Sequence, residues 1–143
     1  MKRIYLFLIG LLVWSEISAQ QLVKVGDGYS STSVNTTVFR NSSLVTDGDV
    51  LYISYYDADG YLTVGKRALG SAEWTLHRSQ YKGNVADAHN VISMMVDGDG
   101  YLHLSFDHHG NKLNYCKSTE PGALTMGEKE AMTGKDADDV TYP

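Results

Sequence analysis

Five histidines fall between residues 77 and 109, and three of them sit where a chain reverses direction. His89 stands in Asp87-Ala88-His89-Asn90, and His108 and His109 stand in Asp107-His108-His109-Gly110-Asn111. Imidazole is the side chain best suited to moving protons near neutral pH, so two such rings on one surface can act as acid and base. The strand pattern around them gives the reason to expect convergence. A strand over 91–96 leaves the His89 end, the strand over 101–107 returns to it, and the turn at His108-His109 closes there. His89 and His109 are therefore the candidate catalytic pair, with Asn90 and His108 as neighbours able to bind substrate. Two exposed loop histidines without chemistry is the plainer reading of the same residues, and it stays open.

Other chemistry is weaker. Pairing Phe106 with Leu113 makes His108 to Asn111 a four-residue turn and sets His103 opposite Cys116, a conceivable pair of metal ligands. A cysteine is more often a small buried hydrophobe, and no metal or cofactor is expected at the site, a structural metal staying open. Asp57-Ala58-Asp59-Gly60 and Asp97-Gly98-Asp99-Gly100 invite a calcium reading. Both lack the third acidic position and distal Glu of a calcium loop, and hairpin turns account for them. Gly70-Ser71-Ala72-Glu73-Trp74 does not match a sialidase-type Asp box cleanly.

The elements that must hold these residues are strands. Period-two alternation runs through Val50 to Tyr55 and through Tyr101 to Phe106, each after an Asp-Gly-Asp turn. A shift of about 51 residues carries Leu51, Ile53, Ser54, Tyr55, Leu62 and Lys66 onto Leu102, Leu104, Ser105, Phe106, Leu113 and Lys117. Ala86-Asp87 falls on Ala137-Asp138 by the same shift. Repeats of this length, each with several short strands, are the period of a propeller blade. The fold class is thus all-β, a β-propeller of four-stranded antiparallel blades. Blade 1 covers about 35–80, with strands near 42–46, 50–56, 61–67 and 73–79. Blade 2 covers about 86–132, with strands near 91–96, 101–107 and 112–118 and a fourth within 123–132. A third blade begins over 137–143. Propellers close with roughly four to eight blades, so two blades are expected to be a portion of a longer protein, with sheet faces meant for neighbours. A complete two-sheet sandwich is the alternative.

Composition sets outer bounds. The 143 residues are 43% hydrophobic and 20% charged, which is globular material. A single cysteine excludes an intramolecular disulfide framework. A net charge of −5 argues against nucleic-acid binding, which needs a basic patch. Lys2 and Arg3, the apolar run Ile4 to Trp14, and Ser18-Ala19 before Gln20 have the layout of a secretory signal peptide over 1–19. The mature chain, 20–143, is then exported to the periplasm or beyond, with no membrane association after the leader is removed.

Four segments carry a resemblance: Val34 to Arg40, Tyr55 to Gly60, Gly83 to Asn90, and Phe106 to Asn111. Together they resemble the BNR-repeat propellers of polysaccharide-degrading bacteria, over about 28–143. The His-Asn and Asp-His-His-Gly pair is the most specific part. The resemblance implies a seven-bladed propeller related to ulvan lyases and to a branch of α-L-rhamnosidases, acting on rhamnose–glucuronate linkages. It implies that two histidines placed like His89 and His109 work with a Tyr and an Arg from later blades, and that this chain alone is inactive. No histidine precedes His77, which disfavours the rhamnosidase branch.

β-Elimination suits these residues. The uronate carboxylate must be neutralised, the C5 proton removed and the C4 oxygen protonated, and imidazoles can serve each step. The expected function is an exported lyase on an acidic, ulvan-like polysaccharide. A glycoside hydrolase and a non-catalytic carbohydrate-binding propeller are the alternatives.

Overall fold

The computed structural model describes residues 22–37, 42–132 and 138–141. The leader expected over 1–19, the Val38 to Arg40 part of the first resembling segment, and Ala137 lie outside the described residues. Among the described residues all regular structure is strand.

The first sheet contains β1 (Leu44–Asp47), β2 (Val50–Tyr56), β3 (Tyr61–Ala68) and β4 (Thr75–Lys82), antiparallel and in chain order. These four strands follow the sequence expectation to within a few residues at each end. Asp57 shapes the β2–β3 turn: its Oδ1 accepts the N–H groups of Asp59 and Tyr61, both at 3.0 Å. Gly60 supplies the left-handed residue there, at φ 82°. Asp97 builds the later hairpin in the same way, accepting from Asp99 at 3.0 Å and Tyr101 at 2.9 Å. Both acidic turns are thus hairpin devices, as expected. Ahead of β1, the carboxamide of Asn35 stands in for a strand partner: it accepts from Tyr56 N at 2.9 Å and donates to Tyr56 O at 2.7 Å.

The second sheet contains β5 (Ile92–Val96), β6 (Leu102–Phe106) and β8 (Tyr115–Lys117), while the short β7 (His109–Asn111), between β6 and β8 in the chain, belongs to a separate two-stranded pair. Its order is β5-β6-β8, antiparallel. The fourth strand expected within 123–132 is reduced to a bridge between Ser118 and Met126, with Gly127 N on Lys117 O at 2.8 Å and Glu130 N on Tyr115 O at 3.0 Å. The run Gly127-Glu128-Lys129-Glu130 has no apolar residue to bury at alternate positions, so nothing holds a regular ladder there. Residues 140–141, expected in a third blade, form β9 (Val140–Thr141), which pairs with β7.

One register differs from expectation. Leu104 pairs with Cys116 and His103 with Lys117, a slip of one residue. Phe106 N accordingly takes Asn114 O at 3.1 Å, and the reversal lengthens from four residues to the span 107–113. A one-residue slip moves side chains to the opposite face. Cys116 joins Leu104 in the core, fully buried, while His103 lies on the other face. The conceivable His103–Cys116 metal pair is therefore excluded by geometry.

The two sheets bury a shared core. Tyr52, Tyr56, Leu62 and Val64 from the first meet Ile92, Met94, Leu102, Leu104 and Phe106 from the second, all at most 4% exposed. At roughly 1.5–3 kcal/mol per large apolar side chain, this layer is the main stabilising term. Polar contacts fix the relative placement: Met94 N to Ser42 O at 2.8 Å, Lys66 Nζ to Gly122 O at 2.7 Å, and Tyr81 Oη to Gly127 O at 2.7 Å.

Candidate functional site

Ile92 pairs with Phe106, so the segment entering β5 and the segment leaving β6 emerge at one end of the second sheet. A third segment, 83–87, is stitched to both. Asn84 N donates to Asp107 Oδ1 at 2.7 Å, and Asn84 O accepts Asn90 Nδ2 at 2.9 Å. Asp107 N reaches Val91 O at 3.3 Å. Asp107 itself adopts φ 63°, a left-handed conformation that Asp tolerates better than most residues. Its carbonyl accepts the side-chain amides of Asn111 at 2.9 Å and Asn114 at 3.2 Å. The reversal after β6 is thus held by side chains as well as by the pairing of β7 with β9.

On this scaffold the rings of His89 and His109 lie with centroids 4.2 Å apart and planes inclined by 34°. Both are exposed enough to meet a ligand, at 40% and 43% of their side-chain surface. Between them stands Asp87. Its Oδ1 meets His89 Nδ1 at 2.6 Å and its Oδ2 meets His109 Nδ1 at 2.5 Å. Oδ1 also accepts the backbone N–H of His89 at 2.9 Å. The hydrogen bond from His109, then those from the backbone and ring of His89, hold the Asp87 carboxyl well below the usual carboxylate range. Beside this trio opens a pocket of about 250 Å³, lined by Asn84, Asp87, Asn90, Asp107, His109 and Asn111.

Asn90 and His108 divide. Asn90 is 4% exposed and lines the pocket, and its Oδ1 has no hydrogen-bond partner among the described residues. That oxygen is itself buried, so Asn90 reaches the pocket as a lining residue while its Nδ2 ties the pocket wall to Asn84. His108, expected to touch substrate, is instead fully buried. Its Nε2 accepts the N–H of Asn114 at 2.6 Å, and burial, with Lys129 nearby, pushes its pKa down to about 4. A neutral, interior imidazole is a strut for the reversal, so His108 is corrected from a binding residue to a structural one.

Asp87, Asp107, Asn84 and Asn111 are site residues that sequence reasoning quoted without a role. Asp87 had one local signal, its position two residues before a histidine, from which an Asp side chain accepts the backbone N–H. Asp87, His89 and His109 also offer donor atoms within 4.8 Å of one another, a spacing compatible with a metal ion. As they stand, both carboxylate oxygens face imidazole nitrogens at hydrogen-bond distance, so a cation among them would displace those bonds. A second cluster, Asp97–His103–Tyr115, lies toward the other end of β6, with His103 Nε2 2.8 Å from Asp97 Oδ2 and Nδ1 2.6 Å from Tyr115 Oη.

Known proteins share this architecture. One solved structure, described as a new family of polysaccharide lyase, PL25 ulvan lyase, superposes with a TM-score of 0.54 at 16% identity, covering 81% of this chain and 29% of that one. The same type of lyase bound to -[GlcA(1-4)Rha3S]- gives 0.55 at 15% identity, covering 83% and 30%. The chain therefore spans less than a third of the length of the lyase structures it matches, and the likeness at this identity is one of fold. No curated protein matches the sequence. The model of the BNR repeat-containing family matches residues 50–143, which takes in both histidine segments, and the chain belongs to that family.

Proposed function

We propose that the protein is part of an exported, seven-bladed propeller lyase that cleaves a uronate-containing polysaccharide by β-elimination, with His89 and His109 as its imidazole groups. The observation that carries this reading is the pair of half-exposed rings 4.2 Å apart beside an amide-lined pocket. One ring, when protonated, offsets the uronate carboxylate and lowers the cost of negative charge developing at C5. The other, neutral, takes or relays the C5 proton. Asn84, Asn90 and Asn111, which line the pocket, are the side chains we expect to meet ring hydroxyls. The electron pair freed at C5 forms the C4=C5 bond as the C4–O bond breaks, and a proton is delivered to the leaving oxygen. The expected Tyr and Arg of later blades would complete proton delivery and carboxylate binding.

The carboxylates of the site support a lyase over a glycoside hydrolase. A hydrolase needs two carboxyl groups, one of them protonated as general acid. Asp87 is committed to two imidazoles and held ionised, and Asp107 accepts the Asn84 amide. The ligand of the similar lyase structure, a glucuronate–rhamnose-sulfate unit, makes an acidic polysaccharide the substrate class to try.

The test uses the protein carried to full propeller length, incubated with ulvan-type polysaccharide. The expected result is rising ultraviolet absorbance from C4=C5 unsaturated uronate ends. His89→Ala or His109→Ala lowers the rate by about 10² or more, while His77→Ala, in β4, leaves it unchanged. New reducing ends without absorbance would assign a hydrolase, and binding without cleavage a carbohydrate-binding propeller.

A further inference from the structure

We propose that Asp87 is the positioning residue of this site, a single carboxylate that sets both imidazoles in the Nδ1–H tautomer and so makes Nε2 the proton-exchanging nitrogen of each ring. Catalytic and metal-site histidines are commonly oriented by one carboxylate each. Here the two oxygens of one carboxylate are divided between two rings, at 2.6 Å to His89 and 2.5 Å to His109. An ionised carboxylate only accepts, so the nitrogen facing it must carry the proton. That assignment holds for both rings at once because Asp87 meets each through Nδ1.

The carboxylate is itself held in place. Asp87 N reaches Asn84 O at 3.3 Å, Asn90 N reaches Asp87 O at 3.2 Å, and Oδ1 accepts His89 N at 2.9 Å. Asn84 is in turn anchored on Asp107. The two rings approach to 4.2 Å because they converge on one anchor from different loops, twenty-two residues apart in the case of Asp87 and His109. Shared attachment also fixes the two Nε2 atoms relative to each other, as proton exchange with a single sugar ring requires. This consequence for catalysis rests on the lyase reading, whereas the tautomer assignment does not.

The experiment separates the two. Imidazole ¹⁵N shifts are recorded at alkaline pH for the substrate-free protein, with His89 and His109 assigned from His→Gln variants. The expected spectrum shows Nδ1–H for both rings. In Asp87→Asn the amide offers one oxygen and one NH₂ group, so one ring keeps Nδ1–H and the other switches to Nε2–H. In elimination assays Asp87→Asn lowers kcat about 10- to 100-fold with KM little changed, and Asp87→Glu, which keeps two acceptor oxygens, recovers part of the loss. Nε2–H on either ring of the unaltered protein overturns the proposal, as does an unchanged kcat in an Asp87→Asn protein whose tautomers have switched. If Asp87→Asn fails to fold, the unaltered spectrum and Asp87→Glu still decide. Absence of any elimination by the unaltered propeller would sink the lyase reading alone and leave the tautomers to the spectrum.

Discussion

Acidification should weaken the fold through His108 before it touches the carboxylates. This ring is fully buried, and its pKa falls from 6.5 to about 4, first through burial and then through Lys129. A histidine with a depressed folded pKa binds fewer protons folded than unfolded, so stability rises with pH across the interval between the two values. The contribution is complete above about pH 6.5 and is lost progressively as pH falls toward 4. At about 1.36 kcal/mol per pKa unit, the full loss is about 3 kcal/mol, and most of it has gone by about pH 4.5. That is a large share of the 5–15 kcal/mol typical of a domain. Urea unfolding at about pH 7.5 and about pH 4.5 measures it. His108→Gln keeps an acceptor for Asn114 N but cannot titrate, so its midpoint should move much less between the two pH values. An unaltered protein with equal midpoints, or a His108→Gln protein that loses as much, would refute the reasoning.

Further outcomes follow from other residues. Burial pushes the Cys116 thiol up to about 12, so it should resist a thiol reagent at about pH 8 while folded and react once urea exposes it. Rapid labelling of the native protein would show that the β6–β8 core opens easily. A Cβ at Gly83 would lie 2.5 Å from Cε1 of the fully buried Tyr56 ring, so Gly83→Ala should cost about 1–3 kcal/mol by overpacking. The same variant should broaden the amide signals of Asn84 and Asn90, since Asn84 is the adjoining tie of the site. Below about pH 3.8 the protonation of Asp87, whose folded value is depressed, should remove a further increment of stability as pH falls. Asp87→Asn should lack that acid limb while keeping the one due to His108.

The legible parts of this chain are those governed by local rules. Alternation fixed β2 and β6, and Asp-Gly turn chemistry fixed the hairpins at Asp57 and Asp97, because each needs only residues within a few positions of one another. The shared end of His89 and His109 was also legible, since antiparallel return is enough to imply it. What escaped was set by contacts between distant residues. The one-residue slip of β8 follows from the left-handed turn at Asp107 and from the amides of Asn111 and Asn114 reaching back to its carbonyl. Nothing in the spacing distinguishes that arrangement from the four-residue turn it replaces. His108 and His109 look equivalent in sequence, yet one is a buried acceptor and the other an exposed ring.

That slip is what makes the site. A tight turn like Asp57–Gly60 closes on its own backbone, with the Asp57 carboxylate turned in on the N–H groups of the turn. Lengthening the reversal to 107–113 gives the chain room to bury His108 under Asn114 and to carry His109 sideways. Pairing of β7 with β9, at His109–Thr141 and Asn111–Val140, steadies the displaced segment. His109 thus comes within 2.5 Å of Asp87, a residue fixed from the opposite side by Asn84 and the His89 backbone. The two imidazoles meet because an interior histidine, a left-handed aspartate and a strand from about thirty residues further on each remove one alternative path for the loop. A four-residue turn would lack the room that buries His108 and carries His109 to Asp87, so the distance between His89 and His109 is a property of the reversal more than of the sheet.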